Sequence, residues 1–194
     1  MKTILKAAMA AAVLATPAAA GGHAAWTSVA DESLIAFGSI KKDAVGEVHT
    51  FEDVTGTVSD AGEVSISIQL ASVETNIDIR NERMIEHVFK GLDAVAELTG
   101  SVDMDDVSAL DVGATMVTDF EGELSLAGVS SEIETEVFVA RLSEDRVLVT
   151  TSDILMLSTA DIGVTAGVDK LMELASLSGI TRVSPATIRM VFEK

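Results

Sequence analysis

Apolar and polar residues alternate along most of this chain with a period of two, the spacing that sends successive side chains to opposite faces of a sheet. The clearest run is Val64-Ser65-Ile66-Ser67-Ile68-Gln69-Leu70, whose valine, isoleucines and leucine share one face. A second, Ile133-Glu134-Thr135-Glu136-Val137-Phe138-Val139, starts alternating and turns continuously apolar. The same pattern predicts strands over residues 33–40, 52–58, 97–104, 116–126, 147–152 and 187–192. Ser59-Asp60-Ala61-Gly62 and Ala127-Gly128 supply tight-turn chemistry between strands, and Ser143-Glu144-Asp145 a weaker version. Hairpins of this kind give an antiparallel sheet. Closing roughly eight strands into a barrel removes exposed edges and leaves an interior for side chains or one small ligand.

Two segments depart from alternation. Residues 79–89 place Met84, Ile85, Val88 and Phe89 at helical spacing, and residues 167–177 do the same with Val168, Leu171, Met172, Leu174 and Ala175, with Gly179 as a stop signal. Both are predicted as short helices between strands, at the barrel ends. The expected class is therefore all-β, an antiparallel barrel with one or two short helices. The alternation selects Ile35, Phe37, Ile66, Ile68, Leu70, Phe120, Leu124, Val137, Val139, Met190 and Phe192 as its inward-facing lining.

Composition bears on whether that interior is hollow. The chain is 48% hydrophobic yet has no tyrosine, one tryptophan and six phenylalanines, so slender aliphatic residues do most of the packing. A barrel lined this way leaves an elongated void suited to a flexible hydrocarbon chain, or is filled by its own side chains and a helix; composition favours neither.

The N-terminus differs in kind. Lys2 and Lys6 precede an apolar run from Ala7 to Ala15, then Pro17 and the small residues Ala18-Ala19-Ala20. This is the pattern of a secretory signal peptide, residues 1–20, cut near Ala20 to leave one domain over residues 21–194. The run is too short for a membrane span, and no other stretch is long and apolar enough to make one. Absence of cysteine excludes disulfides, thiolate metal sites, a cysteine nucleophile and the lipidated cysteine of a lipoprotein. Removing residues 1–20 takes away two lysines and no acid, moving the net charge from −18 to −20. That field repels nucleic acid and anionic headgroups. It reads as a solvated surface adapted to a salty habitat, or as a docking face for a basic partner. An exposed barrel rim is compatible with a homodimer, though no residue pattern specifies one.

Catalytic signals are sparse. His49 and His87 with a carboxylate would make a three-ligand metal site, but no H-E-x-x-H spacing occurs. There is no G-x-S-x-G elbow, and the glycines at 163 and 167 lack the Lys-Ser/Thr of a phosphate loop. Neither a metal nor a cofactor is expected. Arg80 and Arg83 stand out in a chain with few basic residues. They are candidate donors to a ligand's head group at a cavity mouth, or internal partners of Asp78, Glu82 or Glu86 that fix the first helix.

Trp26 to Phe37 (WTSVADESLIAF), Val54-Thr55-Gly56, Ser72 to Gly91 (SVETNIDIRNERMIEHVFKG), Gly122 to Val139 (GELSLAGVSSEIETEVFV) and the closing strand from Thr187 to Phe192 together resemble the YceI family over nearly all of the chain past the signal peptide. The departure is Lys90 to Ala96, where the family usually shows more aromatics and a proline. The resemblance implies a periplasmic or secreted, lipocalin-like β-barrel that binds a polyisoprenoid or isoprenoid quinone. The expectation is an exported carrier without catalytic turnover. The alternatives are an acidic interaction module with a filled barrel and, behind it, a metal-assisted enzyme using His49 and His87.

Overall fold

Twelve strand segments combine into eight long antiparallel strands because four of the eight are bent. The structure, a computed structural model, describes residues 24–194; the signal peptide expected over residues 1–20 lies outside the described residues. In chain order the segments are β1 (Ala24–Ser28), β2 (Leu34–Lys41), β3 (Val45–Phe51), β4 (Val54–Ser59), β5 (Glu63–Gln69) and β6 (Val73–Glu74). They continue with β7 (Val95–Ser101), β8 (Thr115–Leu126), β9 (Val129–Ser143), β10 (Arg146–Thr151), β11 (Leu155–Ser158) and β12 (Val183–Glu193). A 3-10 turn at Ala30–Glu32 bends β1 into β2, Glu52-Asp53 bends β3 into β4, a second 3-10 turn at Leu70–Ser72 bends β5 into β6, and residues 152–154 separate β10 from β11.

Closure runs through β12. One of its edges pairs with β10 and then β11, from Arg146↔Glu193 to Ser158↔Val183. The other pairs with β1 at Ser28↔Phe192 and then with β2 at Ile35↔Ile188. The ring β1-β4-β5-β7-β8-β9-β10-β12 is thereby closed, and β2, β3, β6 and β11 extend its wall at one end. The expected antiparallel barrel with short helices is the fold observed.

Helices cover both ends. At the extended end sit α1 (Asp78–Arg83), which widens into a π-helical turn (Met84–Val88), and α3 (Thr165–Leu174). At the other end α2 (Met104–Ala109), capped by the Asp103 carboxylate accepting from the Asp105 N–H at 2.9 Å, pushes Met104 and Val107 into the barrel. The strand predicted over 97–104 therefore stops at Ser101, and Met104 opens a helix. Trp26 also lies at this closed end, its indole nearly buried beneath the cations of Arg141 and Lys194, 5.3 and 4.8 Å from the ring centre.

The interior is layered. Gly100 and Gly122 face one another across β7 and β8, and the Phe120 ring lies over both. A Cβ on Gly100 would sit 2.6 Å from that ring, so these glycines are the seat of an inward aromatic. Phe120, Trp26, Leu98, Met190 and Phe192 leave only an apolar cavity of about 90 Å³ in this half of the barrel. Gly100→Ala is expected to cost about 1–3 kcal/mol in urea unfolding through overpacking. Adding Phe120→Leu to it should recover part of the loss; an unchanged midpoint for Gly100→Ala would show that the ring does not need its seat.

Candidate functional site

The other half of the barrel is not filled. A cavity of about 460 Å³ occupies it, within the range of sites for small organic ligands. Its depth is aliphatic and aromatic, with Ile68, Leu70, Ala96, Leu124, Leu126, Ile162 and Val164 on the walls. Its outlet lies where lining residues are also solvent-exposed, at Ile77 and Ile79 of the α1 turn and Ala175 after α3. The border with the smaller cavity passes between Ile68 and Ile66 on β5, Ala96 and Leu98 on β7, Leu124 and Phe120 on β8, and Ala186 and Ile188 on β12.

The lid is built from the two helical segments. The π turn bonds the Phe89 N–H to the Met84 carbonyl at 3.0 Å, five residues apart, which brings Phe89 into line with Met84 over the cavity. Helix α3 crosses this turn so closely that a Cβ on Gly167 would lie 2.6 Å from the His87 carbonyl oxygen and the Val88 Cα. Below, Arg80 and Asn81 tie α1 to β6. Arg80 donates to the Thr75 carbonyl at 2.7 Å, and the Asn81 side-chain oxygen accepts from the Thr75 N–H at 3.0 Å.

Polarity along one wall is set by the β2–β3 register. Ile35 pairs with Phe51, Phe37 with His49, Ser39 with Glu47 and Lys41 with Val45. Ile35, Phe37, Ser39 and Lys41 line the cavity from β2, and Phe51, His49 and Glu47 from β3. The wall thus changes from carbon to polar atoms toward the hairpin tip. There Lys42 and Asp43 take left-handed backbone angles, φ 53° and 59°, a conformation that costs non-glycine residues energy.

Glu47 organises the polar end. One carboxylate oxygen receives Lys41 Nζ at 2.7 Å and the other receives an Arg80 guanidinium nitrogen at 2.7 Å. Burial raises the Glu47 pKa, but hydrogen bonds and charge from Arg80 and Lys41 outweigh it and leave it below the usual carboxylate value. His49, only 3% exposed, is shifted down from the ordinary 6.5 by burial and then by the Arg80 charge. Its Nε2 lies 3.2 Å from the Ser39 hydroxyl, and its Nδ1 has no hydrogen-bond partner among the described residues. The rings of Phe37 and Phe51 stack at 5.1 Å, with His49 5.2 Å from Phe37 and Phe89 5.6 Å from Phe51, giving the same wall an aromatic surface.

The residues selected by alternation divide between the two cavities. Ile35, Phe37, Ile68, Leu70 and Leu124 line the larger one, and Ile66, Phe120, Val137, Val139, Met190 and Phe192 the smaller. Arg80 and Arg83 both line the larger cavity. The internal partners considered for Arg80 are corrected: it pairs with Glu47 on β3, not with Asp78, Glu82 or Glu86 of its own helix. Arg83 has no ion-pair partner among the described residues. Nor do three His, Asp or Glu side chains converge anywhere among them, so His49 and His87 are not gathered with a carboxylate. Ser39, Lys41, Glu47 and the cavity-lining position of His49 escaped sequence reasoning. Their signal is the inverted alternation of β3, where Val48 points outward at 70% exposure while Glu47 and His49 turn in.

A family profile described as the YceI-like domain matches residues 26–178. The chain belongs to the YceI-like family. Among solved structures, a polyisoprenoid binding domain from Saccharophagus degradans implicated in plant cell wall breakdown is 37% identical, with a TM-score of 0.85 over 88% of this chain and 98% of that one. BcnA of Burkholderia cenocepacia shares the fold at 15% identity, with a TM-score of 0.63 over 82% of this chain and 95% of its own. None of the curated proteins matches.

The buried imidazole of this YceI-like barrel also links stability to pH. The unfolded chain takes up a proton on His49 near pH 6.5, whereas the folded one resists until lower pH, so acidification below 6.5 favours unfolding. His49→Gln is expected to reduce the fall in melting temperature over that window. A profile identical to the parent's would assign the pH dependence to other groups.

Proposed function

We propose that this YceI-like protein is an exported, non-catalytic carrier that holds the tail of a polyisoprenoid lipid, a quinone or prenyl precursor, in the larger cavity. The observation that carries the reading is the 460 Å³ void walled mainly by carbon and open beside the α1 turn. It favours a hollow barrel over a filled interaction module. The likeness to the Saccharophagus degradans polyisoprenoid binding domain supports a prenyl cargo. The basic and apolar pattern of residues 1–20 supports export to the periplasm or beyond.

Burial of hydrocarbon does not by itself extract such a lipid. Each methylene gains about 0.8 kcal/mol on leaving water, but a prenyl tail starts in a membrane that already shields it. The cavity has to match that environment and add interactions with the head. Its charged lining residues, Lys41, Glu47, Arg80 and Arg83, sum to +2 in a chain of net charge −18. Arg83, free of an ion pair among the described residues, is the group best placed to meet an electron-rich head near the outlet.

Two cavity-filling substitutions separate the compartments. Leu124→Trp occupies the larger cavity and is expected to weaken binding of a prenyl quinone by about tenfold or more. Val137→Leu fills only the smaller cavity and should leave that affinity unchanged, as read by ligand titration followed by native mass spectrometry. Equal affinities for the parent and Leu124→Trp would remove the larger cavity from the binding reaction.

A further inference from the structure

We infer that the outer wall formed by β3, β2, β12 and β11 is a docking face for a lipid bilayer, which sets the cavity outlet against the membrane that holds the cargo. The inference rests on the carrier reading above and adds where the exchange takes place. These four strands are neighbours in that order, and their inward residues line the larger cavity. Their outward residues form a continuous apolar strip. Val48 pairs with Gly38, a Cβ on Gly38 would meet the Pro185 ring at 3.0 Å, and Pro185 pairs with Met156. Ile40 and Val183 continue the strip toward the β2–β3 hairpin tip, and Ile154 extends it two residues before Met156. Val48, Met156 and Ile154 are 70%, 64% and 62% exposed, so no part of the described residues covers them. Contiguous exposed apolar surface of this kind marks a contact with a membrane or another protein.

Charge separates this wall from the far one. On β8 and β9 exposed carboxylates stand directly opposite one another as Asp119↔Glu136, Glu121↔Glu134 and Glu123↔Glu132, an arrangement that repels a layer of lipid phosphates. The outward positions of the apolar wall carry no carboxylate, and their one charge is Arg189 on β12. Asp43 and Asp153 lie only in the turns that bound it. The molecule therefore has one side that a headgroup layer accepts and one that it rejects. A second copy is the poorer occupant. Strands about 4.8 Å apart with alternate residues about 6.7 Å apart give four strands by three positions about 400 Å², half of the roughly 800 Å² each partner contributes to a stable complex. A barrel wall is also convex, so two copies touch along a line, whereas a fluid bilayer takes up the protruding side chains. The outlet adjoins this wall. The Arg80–Glu47 ion pair at 2.7 Å ties α1 to β3, and Ile77 and Ile79 at the outlet are exposed too. Docked in this way, a prenyl tail moves between bilayer and cavity with little exposure to water.

The test uses the purified protein and phosphatidylcholine vesicles, with association read by co-flotation. The parent is expected to float with the vesicles and to stay bound at high salt, because the contact is apolar. Val48→Asp combined with Met156→Asp should lower the bound fraction about tenfold or more, and Val48→Ser combined with Met156→Ser by less. Val117→Asp, at an exposed apolar position of β8 on the acidic wall, should leave it unchanged. Each variant is checked by circular dichroism and by its affinity for detergent-dispersed decyl-ubiquinone, expected to equal the parent's. Failure of the parent to float, release at high salt, or equal flotation of the parent and the double Asp variant would overturn the docking face while leaving the carrier reading standing. A dimer in analytical ultracentrifugation that the double Asp variant splits would assign the wall to a second copy and overturn it as well. Flotation of the parent without uptake of decyl-ubiquinone would overturn the carrier reading and leave the docking face standing.

Discussion

Strand β12 is the element on which the rest of the architecture depends. Both of its edges are hydrogen-bonded, and each edge is shared by two segments in succession, β10 then β11 on one side and β1 then β2 on the other. Those changes of partner let the wall continue past the closed ring, where β2, β3, β6 and β11 surround the wider half. The border between the two cavities crosses β12 between Ala186 and Ile188, where its pairing with β11 gives way to β10. Strand pairing along one segment therefore fixes both closure and the partition of the interior.

The wider half keeps charged groups in a place where desolvation penalises them, and the geometry shows how they are held. Glu47 satisfies each oxygen with a separate cation, and Arg80 adds a bond to the Thr75 carbonyl, so neither of these two charges faces the carbon walls alone. Arg80 and Asn81 at the same time fasten the first helix to the end of β6. The pair thus sets the cavity's polar end and positions its lid. Because the lid also depends on the close crossing at Gly167, the outlet's shape and the cavity's polar end are coupled through α1 and the π turn that follows it.

Legibility followed how well each segment obeyed alternation. The strand at Val64 to Leu70 was plain because every second residue is a large aliphatic that the barrel buries. So was the pattern from Ile133, which continues into the long β9. β3 was missed because its inward face carries Glu47 and His49 while Val48 points out, and because its hairpin turns on Lys42-Asp43, without an Asn-Gly signal. β11 was missed for a related reason: the short Leu155–Ser158 segment exposes Met156 at 64%. Which inward residues border which cavity was illegible, since the layering depends on the seat of Phe120 over Gly100 and Gly122, a contact between strands. The Arg80 partner was illegible for the same reason, Glu47 lying on a strand the alternation did not reveal.

The acidic exterior and the positive cavity act over different ranges. Exposed charges lose their influence beyond about 8–10 Å at physiological salt, and sooner in a saltier medium. Groups inside the barrel, with carbon around them, are screened much less. On the proposed carrier reading, a head group arriving at the outlet would therefore respond to Arg83 and Arg80 in the cavity lining rather than to the net charge of the molecule. The exterior is free to be acidic for solubility while the interior keeps its own net positive lining. On the proposed carrier reading, head-group selection would therefore fall to the few polar residues that line the larger cavity from β2, β3 and the first helix, and not to the many surface carboxylates.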